Sequence, residues 1–92
     1  MNTGQILNVV GMYEMRLVAE GVPKVAMNSE RTFASLSRSE ILAHAHFLID
    51  GVRTYAVDPR KEGKTARHLA SIQMCLSFAG WYSLEELKNH NR

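Results

Sequence analysis

Lys61-Glu62-Gly63-Lys64-Thr65-Ala66-Arg67-His68, running on into Leu69 through Trp81, is the stretch that decides the fold of this chain. It joins a basic, glycine-containing loop to a helix predicted over residues 65–80. Leu69, Ile72, Leu76 and Gly80 share one side of that helix, and Met74, Phe78 and Trp81 fall on nearly the opposite one. A helix that is apolar on two sides needs two partners, which sets the problem for the rest of the chain.

The first partner lies just upstream. Ser37-Arg38-Ser39-Glu40 is a capping box, in which a serine hydroxyl and a glutamate three residues later satisfy each other's free amides. It opens a helix over residues 38–57 with a core stripe of Ile41, Ala45, Leu48, Val52 and Tyr55, and Gly51 beside the stripe permits a close approach. A helix over residues 4–20 carries Ile6, Val9, Val10, Tyr13 and Leu17 on one face, with Thr3 as cap and Gly21 and Pro23 as the stop. Ser83-Leu84-Glu85-Glu86 is a second capping box and starts a short helix over residues 84–90, with Leu84 and Leu87 inward. Residues 21–36 show no period and read as an ordered connector that tucks Val25, Met27, Phe33 and Leu36 onto the core. The expected fold is a single all-α domain over residues 1–92. Its first helix packs across an antiparallel hairpin of the second and third, and a short C-terminal helix completes it.

Composition narrows the function. The 92 residues are 46% hydrophobic and 22% charged, which fits a folded domain. A chain this small buries only about 60% of its unfolded surface, so a homo-oligomer is expected to supply missing core. A net charge of +2 is too small for DNA or RNA duplex binding through bulk charge. Cys75 is the single cysteine and excludes an intramolecular disulfide; no signal segment or membrane span is recognised, and a soluble cytoplasmic protein is expected.

Catalytic and metal readings fail on spacing. Gly63-Lys64-Thr65 resembles the end of a phosphate-binding loop, but the glycine required five residues earlier is Asp58. His44 and His46 are two apart on a helix and point away from each other, and His68 should lie level with Arg53, so no metal site forms. His44 reads as half-buried and hydrogen-bonded, and His46 as a surface pair with Asp50. Cys75 among Met74, Leu76 and Phe78 reads as an inert thiol. No cofactor is implied, and the chain reads as a non-enzyme.

Two binding readings survive. In the first, Lys61, Lys64, Arg67 and His68, with Arg60 nearby, gather at the amino end of the third helix, where free amides and the helix dipole favour an anion. Thr65 would donate to a phosphate, and Trp81 or Tyr82 would stack on a base. The competing reading of the same charges is a solvated loop paired with Glu62 or Asp58. Tyr13 and Tyr55 lie on core stripes. In the second binding reading, Met74, Phe78 and Trp81 form an apolar face that anchors another subunit or a host protein.

The run Arg67-His68-Leu69, Gln73, Leu76 and Gly80-Trp81-Tyr82-Ser83-Leu84-Glu85-Glu86-Leu87-Lys88-Asn89-His90-Asn91-Arg92 resembles the endings of a group of small uncharacterised proteins of tailed phages and prophages. Ala43-His44-Ala45-His46 matches more weakly. The resemblance implies a viral accessory protein and brings no activity with it. Small helical phage proteins of similar layout include oligomeric sponges for nucleotide immune signals of the host. By that analogy the expected function is sequestration of a small phosphate-bearing nucleotide as an anti-defence device, the alternative being a protein–protein inhibitor or assembly factor.

Overall fold

The computed structural model describes residues 1–92 and is all-helical: α1 (Thr3–Ala19), α2 (Arg38–Ala56), α3 (Glu62–Phe78) and α4 (Leu84–His90), with single 3-10 turns at Phe33–Ser35 and Pro59–Lys61. Both serine capping boxes form. Ser37 Oγ accepts from the Glu40 amide at 3.1 Å while Glu40 Oε1 accepts from the Ser37 amide at 3.0 Å. The box at Ser83 and Glu86 repeats this at 3.2 and 3.1 Å. α1 is capped by Asn2 rather than Thr3, because Asn2 and Gln5 make the same reciprocal pair at 2.9 Å each.

α3 begins at Glu62, earlier than the predicted Thr65, and ends at Phe78, short of Gly80. The start moves because Asp58 Oδ1 accepts from the Arg60 amide at 3.0 Å, and the turn so formed at Pro59–Lys61 runs straight into the helix. The end moves because Gly80 takes φ +84° and the Trp81 amide reaches back to Leu76 at 2.9 Å. Gly80 is therefore the left-handed stop of the helix and not part of its stripe.

α2 and α3 form the antiparallel hairpin. Arg38 Nε, at the start of α2, donates to the carbonyl of Ala79, just past the end of α3, at 2.7 Å. α1 crosses them: Thr3 Oγ1 donates to the Ala56 carbonyl and Glu14 binds Arg53, so α1 advances much further than α2 between the two contacts. The core takes Val10, Tyr13 and Leu17 from α1, Ile49 and Val52 from α2, and Ile72 and Leu76 from α3, all fully buried. The α1 stripe is as read from the sequence. α2 is buried over a wider arc than its stripe, with Leu42, Ala43, His46 and Ile49 also covered and Leu48 only partly so.

The wider arc follows from the connector. It lies along α2, where the Val25 amide donates to the Ala43 carbonyl at 3.2 Å and the Met27 amide to His44 Nδ1 at 3.1 Å. His46 is consequently buried at 4% exposure, its Nδ1 2.8 Å from the Val22 carbonyl, and is not the surface partner of Asp50. Asp50 instead takes Lys24 and Arg53. Leu36 and Met27 pack inward as expected, whereas Val25 and Phe33 remain exposed. Leu84 is also exposed, since the phase set by the Ser83 cap turns only Leu87 onto the core.

Gly51 is where the hairpin closes most tightly. A Cβ placed there would stand 3.0 Å from Cδ2 and 3.2 Å from Nε2 of His68. Gly51→Leu should therefore cost about 1–3 kcal/mol by overpacking. In urea unfolding, most of that loss should be recovered in the double variant with His68→Ala; additive effects would show that the ring is not what the new side chain meets.

Candidate functional site

The residues expected to hold phosphate do not converge. Lys64 Nζ lies 4.5 Å over the Tyr55 ring, against α2. His68 sits edge-on to the same ring and its Nδ1 is 3.0 Å from the Lys64 carbonyl, which as an acceptor requires the Nδ1–H tautomer. Arg67 projects on a different side of α3, and its Nη1 passes near Gly63. Lys61 is exposed, and Arg60 is paired with Asp58 at 3.1 Å. Thr65 is buried and its hydroxyl already donates to the Lys61 carbonyl at 2.9 Å. Helical phase does not separate them, since positions 61, 64, 65, 67 and 68 fall within an arc of about 160°; their partners do, with Lys64 and His68 held on Tyr55, Arg67 turned back toward Gly63 and Thr65 buried.

Trp81 corrects the sequence reading most clearly. It is 6% exposed and belongs to the core, with the Arg16 guanidinium 4.2 Å over its ring and Tyr82 edge-on beside it. It is available neither for stacking on a base nor as a partner surface. Tyr82 is half-buried against Tyr13 and His90.

The largest cleft, about 830 Å³, opens between the start of α1, the end of α2 and one side of α3. Its size suits a small molecule. Its charged side chains are Asp58 and Glu62, and none of Lys61, Lys64, Arg67 or His68 lines it. Arg60 holds the Asp58 carboxyl below its usual range through a side-chain and a backbone hydrogen bond, so a negative charge stands at the mouth. Amides on the wall are engaged with one another. Gln73 Nε2 donates to Asn91 Oδ1 at 2.7 Å and to the Tyr13 hydroxyl at 3.1 Å, and Asn91 Nδ2 returns a bond to Gln73 Oε1 at 3.2 Å. The same Tyr13 hydroxyl shares a second hydrogen bond with His90 Nδ1, 2.7 Å away. This chain of bonds ties α4 to α1 and α3, and its groups are spent on the fold.

A second concavity has a different character. A groove of about 210 Å³ runs between the Phe33 turn and the outer side of α3, lined by Phe33, Ala70, Ser71, Met74, Cys75 and Phe78. Phe33 is 44% exposed, Met74 46% and Phe78 68%. His44 extends the apolar surface, its ring centroid 6.0 Å from Phe33 and 6.2 Å from that of Phe47, which is itself exposed. α4 docks on the Gln73 side of α3 and leaves this side uncovered. Between Gly63 and Phe78, α3 carries cations and no acid, and Arg67 shares the side of Met74 and Phe78. Cys75 forms the floor, and burial pushes its thiol up to about 11, which keeps it protonated and inert.

The sequence reading placed Met74 and Phe78 on the side of α3 that lies against this groove. It missed Phe33 as a groove wall and Phe47 altogether; Phe47 stands three residues after His44, outside the core stripe, which is the signal it offered. No protein-family model, no curated protein and no solved structure matches this chain.

His44 gives the site a pH dependence. Desolvation lowers its pKa below the ordinary value of 6.5, so the folded state prefers the neutral ring whose Nδ1 accepts from Met27. The resulting stability is complete above the unfolded value and is lost as pH falls through 6.5 toward the folded one. Glu14, held low chiefly by its bond to Arg53, adds a second loss at lower pH. Thermal melts should show Tm falling as pH is lowered through about 6.5, and His44→Gln should flatten that first step. An unchanged step in the variant would assign it to another group.

Proposed function

We propose that this chain is a non-enzymatic docking protein that seats an acidic amphipathic helix of another protein in the groove bounded by Phe33, Met74 and Phe78. The observation that carries this is contiguity: three large apolar side chains, each more than two-fifths exposed, line one groove between the Phe33 turn and α3. Contiguous exposed apolar surface marks interaction sites, while scattered exposed residues do not. Anchors at i, i+3 or i+4 and i+7 of a partner helix match a groove of this kind. The charge of the occupant follows from the same side of α3 beyond the groove, since Arg67, about one turn before Ala70, forms no salt bridge and no acid follows it on the helix. An acidic residue one or two turns from the anchors would complete the contact. A viral accessory protein that captures a host protein fits this reading.

Sequestration of a nucleotide is less well supported. It would need Lys61, Lys64, Arg67 and His68 to face one concavity, and the largest cleft presents carboxylates instead.

Designed helical peptides with leucine anchors and either acidic or basic flanks test the proposal by fluorescence anisotropy. The acidic peptide should bind in preference to the basic one. Phe78→Asp should weaken it at least about tenfold, equivalent to about 1.4 kcal/mol, with Tm unchanged because the side chain is exposed. Arg67→Glu should shift preference toward the basic peptide. Equal binding of both peptides by the Phe78→Asp variant, or a thermal shift with nucleotides that Arg67→Ala abolishes, would overturn the reading.

A further inference from the structure

α2 carries two histidines that hold the connector, and they do so with opposite chemistry. His46 Nδ1 lies 2.8 Å from the Val22 carbonyl, so this nitrogen donates, as it can in both the neutral and the charged ring. His44 Nδ1 accepts from the Met27 amide at 3.1 Å, so it carries no proton. A proton there would set one N–H against another, and of the two bonds it is this one that charging breaks.

His44 meets the connector at a second point, since its ring lies 6.0 Å from that of Phe33 as well as stacking on Phe47. Residues 28–35 have few other ties to the body of the protein. Asn28, Arg31, Thr32 and Ser35 bond among their own segment, and the one ion pair leading out of it joins Arg31 to Glu40, both exposed. An exposed pair of this kind contributes little. Leu36 anchors the far end by burial. The Phe33 wall of the groove therefore stands where the neutral His44 ring puts it, while the opposite wall, Met74 and Phe78, belongs to α3.

No free anion faces the ring to offset a positive charge. Glu40, one turn earlier on α2, gives one carboxylate oxygen to the Ser37 amide and the other to Arg31. On the connector, Lys24 is drawn to Glu14 and Asp50, Arg31 to Glu40, and Glu30 is exposed without an ion pair. From α3 the groove receives only the Cys75 thiol, which stays protonated. Burial alone acts on the ring, and it disfavours the charged form. Building on the docking role of that groove, we propose that His44 is a proton-operated clamp on its Phe33 wall: the neutral ring holds the wall in place for an apolar anchor, and protonation frees the connector from Met27 to Phe33 and undoes the groove. An occupant is held at neutral pH and released in acid.

NMR titration and peptide binding together test this. In the chain alone, the Met27 amide and the Phe33 ring signals should move with the His44 ring at one common midpoint as pH is lowered from about 7.5 to about 5. The binding probe is a leucine-anchored helical peptide with glutamine flanks and blocked ends, which has no titrating group of its own. Its dissociation constant should be level above about pH 7 and rise at least about threefold across the same titration, the factor expected once two-thirds of the molecules are in the released state. In His44→Gln, whose side-chain oxygen accepts from Met27 at any pH, the constant should be level throughout. A Met27 amide that does not follow His44, or a peptide affinity that stays level while it does, overturns the proposal. So does a pH dependence kept in His44→Gln, which would place the switch at another group such as His46, whose Nε2 is buried without a partner. A peptide that fails to bind even at neutral pH sinks the docking role of the groove, and the Met27 and Phe33 signals then decide the clamp by themselves.

Discussion

The hydroxyl of Tyr13 is the point on which the arrangement turns. It lies at full burial, receives a hydrogen bond from Gln73 of α3 and shares another with His90 at the end of α4. A buried phenol without partners would be costly, so these three helices hold each other to one geometry. Two results follow from where that joint lies. α4 is fixed on the Gln73 side of α3, which brings Trp81 into the core beneath Arg16. The other side of α3 is left with no covering element, and Met74 and Phe78 remain at the surface beside Phe33.

Local chemistry was legible in the sequence wherever one short segment determined the outcome. The serine capping boxes at Ser37 and Ser83, the α1 stripe, the tight approach at Gly51 and the buried thiol of Cys75 all follow from spacing and residue type. The losses came where a second element decided. Spacing assigns Trp81 an angle on a helix, yet Gly80 ends the helix first and sends the indole inward. His46 stands opposite the core stripe and would be a surface residue if the connector did not lie over it. The charges near the start of α3 share one half of the helix, yet Lys64 and His68 are taken up by the Tyr55 ring of α2 and Arg60 by Asp58, contacts that no spacing along α3 announces.

The uncovered side of α3 and the outward side of α1 both expose methionine. Met12, Met15 and Met74 are all exposed, and an unbranched thioether adapts its shape to a partner more readily than a β-branched side chain does. Flexible anchors of this kind tolerate partners of varied contour. The fixed elements around them, above all the His68 ring against Gly51 and the connector pinned to His44, supply the rigid frame that such anchors require.

Trp81 is the sole tryptophan of the chain, and it lies beneath a guanidinium from α1 just ahead of α4. Its light emission is thus a native gauge of whether the two ends of the polypeptide are engaged with each other. Loosening of the terminal segment would wet the indole and move it away from its cation, and the colour of the fluorescence would change before the hairpin itself came apart.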